Sequence, residues 1–71
     1  MKAQKVAEMD GRSVYGRIVR VVDDSVFVEV IVIPNDEVYS SHVVEVERWM
    51  SQCVRDAVIN AIYKNPAIMG W

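Results

Sequence analysis

Few side chains in this 71-residue chain are of a type and spacing that could do chemistry. His42 is the only histidine, and with Ser40, Ser41 and Glu45 beside it the segment invites a Ser-His-acid reading. A catalytic triad is assembled by tertiary structure from distant positions. Residues this close in sequence, where a helix is expected to begin, instead read as a helix cap or a surface cluster. Asp23-Asp24 and Asp36-Glu37 supply paired carboxylates of the kind used in acid-base catalysis. Adjacent acids between apolar runs are ordinarily solvated turn formers. Cys53 is the only cysteine; it falls inside a helical apolar pattern, where a small buried hydrophobe is expected, not a nucleophile. No His/Cys cluster has zinc spacing, no Asp-rich loop has calcium spacing, and no glycine-rich loop precedes a helix. The chain therefore reads as a non-enzyme with no catalytic residue, cofactor or metal.

Any site would have to be positioned by a small set of elements. One domain is expected, at a size where a single core leaves little net stability and oligomerisation is a common remedy. Hydrophobic residues make up 52% and charged residues 25%, a folded and not a disordered composition. The net charge of −2 and pI near 5.2 give no bulk attraction to a polyanion. No apolar run is long enough for a membrane span, no leader is read at the amino terminus, and a lone cysteine fits a reducing compartment, so a cytoplasmic location is expected.

The organising feature is the run Val26-Phe27-Val28-Glu29-Val30-Ile31-Val32-Ile33. Side chains alternate across a strand, so Val26, Val28, Val30 and Val32 share one face, and Phe27, Glu29, Ile31 and Ile33 the other. Both faces call for cover. Val14 to Val22 forms a second strand, and Asp23-Asp24-Ser25 is short enough to make the two an antiparallel hairpin. Asp10-Gly11 is a turn signal before it. Residues 1–10 form an N-terminal arm, for which a short helix, an edge strand and a loose segment all stay open. Pro34-Asn35-Asp36 closes the Val26–Ile33 strand, and Val38-Tyr39 could add a third, with Ser40 or Ser41 capping the helix after it.

From Val43 the period changes. Val43, Val46, Met50, Cys53, Ala57 and Ala61 recur at helical steps, so an amphipathic helix is expected over 42–65. Glu45 and Glu47 at its start and Lys64 at its end suit the macrodipole, and Pro66 stops it. A competing assignment extends the sheet through Val43 to Val46 and starts the helix nearer Ser51. The tail 66–71 is apolar, so Ile68 and Trp71 are expected to dock. The fold class that emerges is α+β: a hairpin or three-stranded meander over 12–41, then one long helix on one sheet face.

Two features point to association. One helix covers one sheet face, which leaves Phe27, Ile31 and Glu29 asking for a partner, most simply a second protomer. On the helix, Ile59 and Tyr63 project away from the face centred on Val43, Met50, Val54, Ala57 and Ala61, with Trp49 beside them and Trp71 in the tail. Either the tail folds back so that Trp71 or Ile68 covers them, or they are aromatic anchors of the kind that mark interfaces. The expected function is a protein-protein interaction domain, a regulator, inhibitor or assembly subunit, acting through these surfaces or an open strand edge as a homo-oligomer. The dispersed arginines argue against a basic stripe: in a regular strand Arg17 and Arg20 fall on opposite faces. The segment Gly16-Arg17-Ile18-Val19 followed by Val26-x-Val28-x-Val30 looks like the glycine-led hairpin of small SH3-like and KOW-type barrels. That likeness implies an alternative, a small barrel binding nucleic acid through Arg12, Tyr15, Arg17 and Arg20. A third, a small enzyme with a site between protomers, would have only Asp23, Asp24, His42 and the tyrosines.

Overall fold

The computed structural model describes residues 2–33 and 41–71. Four strands run in sequence order as an antiparallel meander: β1 Gln4–Met9, β2 Arg12–Val22, β3 Ser25–Ile33 and β4 Ser41–Glu47. A short 3-10 turn, Arg48–Met50, leads to the helix α1, Val54–Lys64, and a second 3-10 segment, Pro66–Met69, closes the described chain. The class is α+β, with one helix on one sheet face. The sheet is open, with β1 and β4 at its edges, and is not the closed barrel that the hairpin resemblance implied.

The β1–β2 turn is Asp10-Gly11, both with positive φ (54° and 72°), the backbone a two-residue hairpin turn matched to strand twist requires. Asp23 takes φ 52° in the β2–β3 turn, a conformation Asp tolerates better than most residues. These acids are turn formers. Behind that turn, Arg48 N donates to Asp24 O at 2.7 Å and ties the exit of β4 to the hairpin.

The core lies between the sheet and α1. Val26, Val28, Val30 and Val32 of β3 are all buried, with Val14 of β2 and Val46 of β4, against Ala57, Val58, Ala61 and Ile62 of the helix. The tail contributes Ile68 and Met69 to the same cluster. Among the described residues no polar or charged one is buried. Each apolar side chain withdrawn from water in this layer contributes on the order of 1.5–3 kcal/mol, and the small residues Ala57 and Ala61 let the helix approach the sheet closely.

Of the conformations left open for the N-terminal segment, Gln4–Met9 takes the edge strand, β1. Other expectations are corrected. The helix does not span 42–65: Ser41–Glu47 is strand β4, and α1 occupies Val54–Lys64 only. Val44 and Val46, two apart, face the core from β4 opposite Val28 and Val26; the pairing energy of a fourth strand outweighs a helical spacing that Val43 and Val46 met by coincidence. Cys53 is not a buried hydrophobe but an exposed cap. Its Sγ accepts from Asp56 N at 3.4 Å, at the first turn of α1. Ser41 starts a strand and caps nothing, whereas Ser40 and the Val38-Tyr39 strand lie outside the described residues.

Candidate interaction surface

The register across the four strands defines what the uncovered face carries. Directly opposed residues share a face, so the rows Lys5–Tyr15–Ile31–Ser41 and Arg17–Glu29–Val43 lie on the side away from α1, as do Ser13 and Ile33. No described element packs on this side. Ile33 and Val43 are 49% and 57% exposed; Tyr15, Phe27 and Ile31 are half-buried by their own neighbours. The sequence expectation for Phe27, Ile31 and Glu29 thus corresponds to one continuous surface.

A β-bulge in β2 alters the charge pattern of that surface. Ile18 pairs with Val28 and Arg20 with Phe27, so Val19 is the extra residue and the alternation shifts by one. Arg17 and Arg20, expected on opposite faces, therefore lie on the same one. Lys5, Arg17 and Arg20 give the β1–β2 half a basic character. Glu29, Glu45 and Glu47 give the β3–β4 half an acidic one. Glu8, the acid of the basic half, is bonded to Lys5 Nζ at 2.5 Å.

At the middle of the face Arg17 Nε donates to Glu29 Oε1 at 2.6 Å. The Glu29 side chain is 19% exposed, and the Arg17 guanidinium, with smaller help from Ser41, holds its carboxyl below the usual glutamate range. An ionised pair surrounded by Tyr15, Ile31 and Val43 is a fixed polar feature in an otherwise apolar strip. Toward the end of the sheet, Ser25 Oγ donates to Glu45 Oε2 at 2.5 Å.

The two strand edges are guarded. Lys64 Nζ reaches from α1 to Glu45 O of β4 at 2.8 Å, occupying a carbonyl that an added strand would use. On the other edge the β1–β2 register shifts between Lys5 and Ala7, a bulge that spoils a regular ladder. Both are devices that discourage edge pairing.

The remaining expected interface residues lie elsewhere. Ile59 is half-buried on α1, while Tyr63 of α1 and Trp49 of the 3-10 turn before it are 75% and 69% exposed. With Val46, Glu47, Met50, Asn60 and Lys64, Tyr63 lines a cleft of about 250 Å³. Asn60 Nδ2 pins its wall by donating to Met50 O and Asp56 O, each at 3.0 Å. Trp71 is turned to the β1–β2 turn, where its Nε1 donates to Asp10 Oδ2 at 2.7 Å. The tail docks mainly through Ile68 and Met69, and α1 keeps Tyr63 uncovered.

Of the residues of the alternative readings, Tyr15, Arg17 and Arg20 share the uncovered face, and the others are dispersed. Arg12 is on the core side, its Nη1 donating to Met69 O at 2.7 Å. His42 sits on β4 opposite Val30, whereas Asp23 and Asp24 form the β2–β3 turn. No group of three His, Cys, Asp or Glu among the described residues could hold a metal ion, and no helix among them is long and apolar enough to cross a membrane. The bulge at Val19 was the feature sequence reasoning missed, since nothing in a Val-rich strand announces one. Comparison with family models, curated proteins and solved structures finds no match for the chain.

Proposed function

We propose that this chain is a non-enzymatic protein-interaction domain, a regulator, inhibitor or assembly subunit of the cytoplasm, that docks through the uncovered face of its sheet and first of all associates with itself. One observation carries the reading: Tyr15, Phe27, Ile31, Ile33 and Val43 form an apolar strip on the face opposite α1, with no described element over it. A sheet with two apolar faces is ordinarily covered on both, and contiguous exposed apolar surface marks interaction sites. The guarded edges favour stacking over strand addition. Replacing Ile33 and Val43 by Asp abolishes association while the far-UV circular dichroism stays that of the parent. Association that survives both substitutions would place the surface elsewhere.

A second reading gains from the bulge, which puts Arg17 and Arg20 beside Tyr15 and Phe27 on the same face, a combination suited to single-stranded nucleic acid. Against it stand Glu8, Glu29, Glu45 and Glu47 on that face and the bond that ties Arg17 to Glu29. Anisotropy of labelled single-stranded DNA and RNA at low salt separates the readings, because a phosphate-binding face gives steeply salt-dependent binding and a protein-docking face gives none.

A further inference from the structure

We infer that two copies of this chain stack their uncovered faces about a two-fold axis running along the strands between β2 and β3, so that Arg17 of each protomer meets the partner's Glu29. The inference rests on the self-association just proposed and adds which surfaces oppose each other.

An isologous interface must be complementary to itself. Any in-plane two-fold axis can stack this sheet on a copy, and the two limiting directions differ in the charges they oppose. An axis across the strands lays β2 over β2 and β3 over β3, so the basic half covers the basic half and the acidic half the acidic one. An axis along the strands lays β2 over β3. The basic half, with Lys5, Arg17 and Arg20, then covers the acidic half with Glu29, Glu45 and Glu47, and like charges separate. Arg17 and Glu29 are direct cross-strand partners, so an axis passing between them brings each onto the other's counterpart and closes a ring of two arginines and two glutamates. On one side of this ring Tyr15, opposite Ile31 in the same register, stacks on the partner's Ile31. On the other, Arg20 lies over the partner's Phe27 and next to the partner's Glu45, the residue that opposes Phe27 on β4.

Stacked sheets lie about 10 Å apart with inner side chains interdigitated, their strands turned by about 30°. Desolvating one ion pair there would be costly, and a second pair supplying bidentate charge-assisted bonds offsets it while fixing the register. The molecule spans 34 × 25 × 17 Å, so no face of it much exceeds the roughly 800 Å² that each partner of a stable complex contributes, and such a dimer uses most of the sheet face.

Charge reversal in the full chain tests the arrangement. Arg17→Glu makes the central ring all acidic in its own dimer and Glu29→Arg makes it all basic, so each variant alone associates at least roughly tenfold more weakly than the parent. Mixed in equal amounts, the two form a heterodimer whose affinity returns to within about threefold of the parent, read by light scattering and by native mass spectrometry. Circular dichroism establishes that each variant folds. The pair Arg20→Glu and Glu45→Arg repeats the experiment on exposed side chains, of which Glu45 makes only the surface bond from Ser25, with the same expected rescue, and decides the matter if the first pair unfolds. A parent that dimerises while the mixture associates no better than its components overturns this arrangement and leaves self-association standing. A parent that stays monomeric overturns both.

Discussion

Gly16 of β2 lies directly under Val58 of α1, so close that a Cβ on Gly16 would collide with Val58 Cγ2 and come within 3.2 Å of Glu29 O. Helix and sheet meet tightly here, and the contact limits how deeply α1 seats on the face opposite the interaction surface. Gly16→Ala is expected to cost about 1–3 kcal/mol, because a backbone atom on one side and a packed helix on the other leave no room for a methyl group. Val58→Ala removes the first obstacle, so the double variant loses less than the sum of the two single losses. Urea unfolding of the four proteins measures the coupling.

The tail holds on by burial, not by its terminal hydrogen bond. Ile68 is 5% exposed in the core cluster, whereas Trp71 reaches Asp10 at the surface. Ile68→Ala should lower stability by about 2–5 kcal/mol. Trp71→Phe, which removes the indole donor and keeps an aromatic ring, should lower it by no more than about 1 kcal/mol. Equal losses would show that the tryptophan latch matters as much as the buried isoleucine.

Lys64 guards the β4 edge through Glu45 O. Replacing it with Met keeps the aliphatic stem but removes the donor, so the stability change is expected to stay under about 1 kcal/mol while the edge becomes available for pairing. The measurement is the onset of light scattering on agitation, which should come earlier for Lys64→Met than for the parent. Unchanged onset would mean that the β1 bulge and sheet twist suffice.

Acid should weaken the fold through Glu29. Its carboxyl is held below the ordinary glutamate value, chiefly by the Arg17 hydrogen bond, so folding favours the ionised form. The stabilisation is fully present above the unfolded-state value and is lost as pH falls through the lower folded-state value. Arg17→Ala removes the cause, and the difference in unfolding midpoint between parent and variant should shrink as the pH drops through the acidic range. A difference that is constant with pH would assign Arg17 a packing role alone.

Much of the fold is legible from the alternation of Val26, Val28, Val30 and Val32 and from the turn signals at Asp10-Gly11 and Asp23-Asp24, because period and turn chemistry are local properties. Strand β4 is harder to read. Val43 and Val46 satisfy a helical step while Val44 and Val46 satisfy a strand step, and only pairing with β3, a non-local interaction, decides between them. The same holds for Cys53, whose capping role depends on where α1 begins. The apolar half of the interaction face, Phe27, Ile31 and Ile33, could be read directly. Its charge polarity could not, since a single extra residue at Val19 moves Arg20 to the face of Arg17 and a bulge leaves no mark in composition.

The uncovered sheet face is held to join two copies of this chain, and the mass in solution tests that most directly. Light scattering across a micromolar dilution series should give twice the chain mass of 8.1 kDa, falling to the single-chain value only on dilution or on replacing Ile33 and Val43 by Asp. A parent that scatters as 8.1 kDa at every concentration would rule out the dimer.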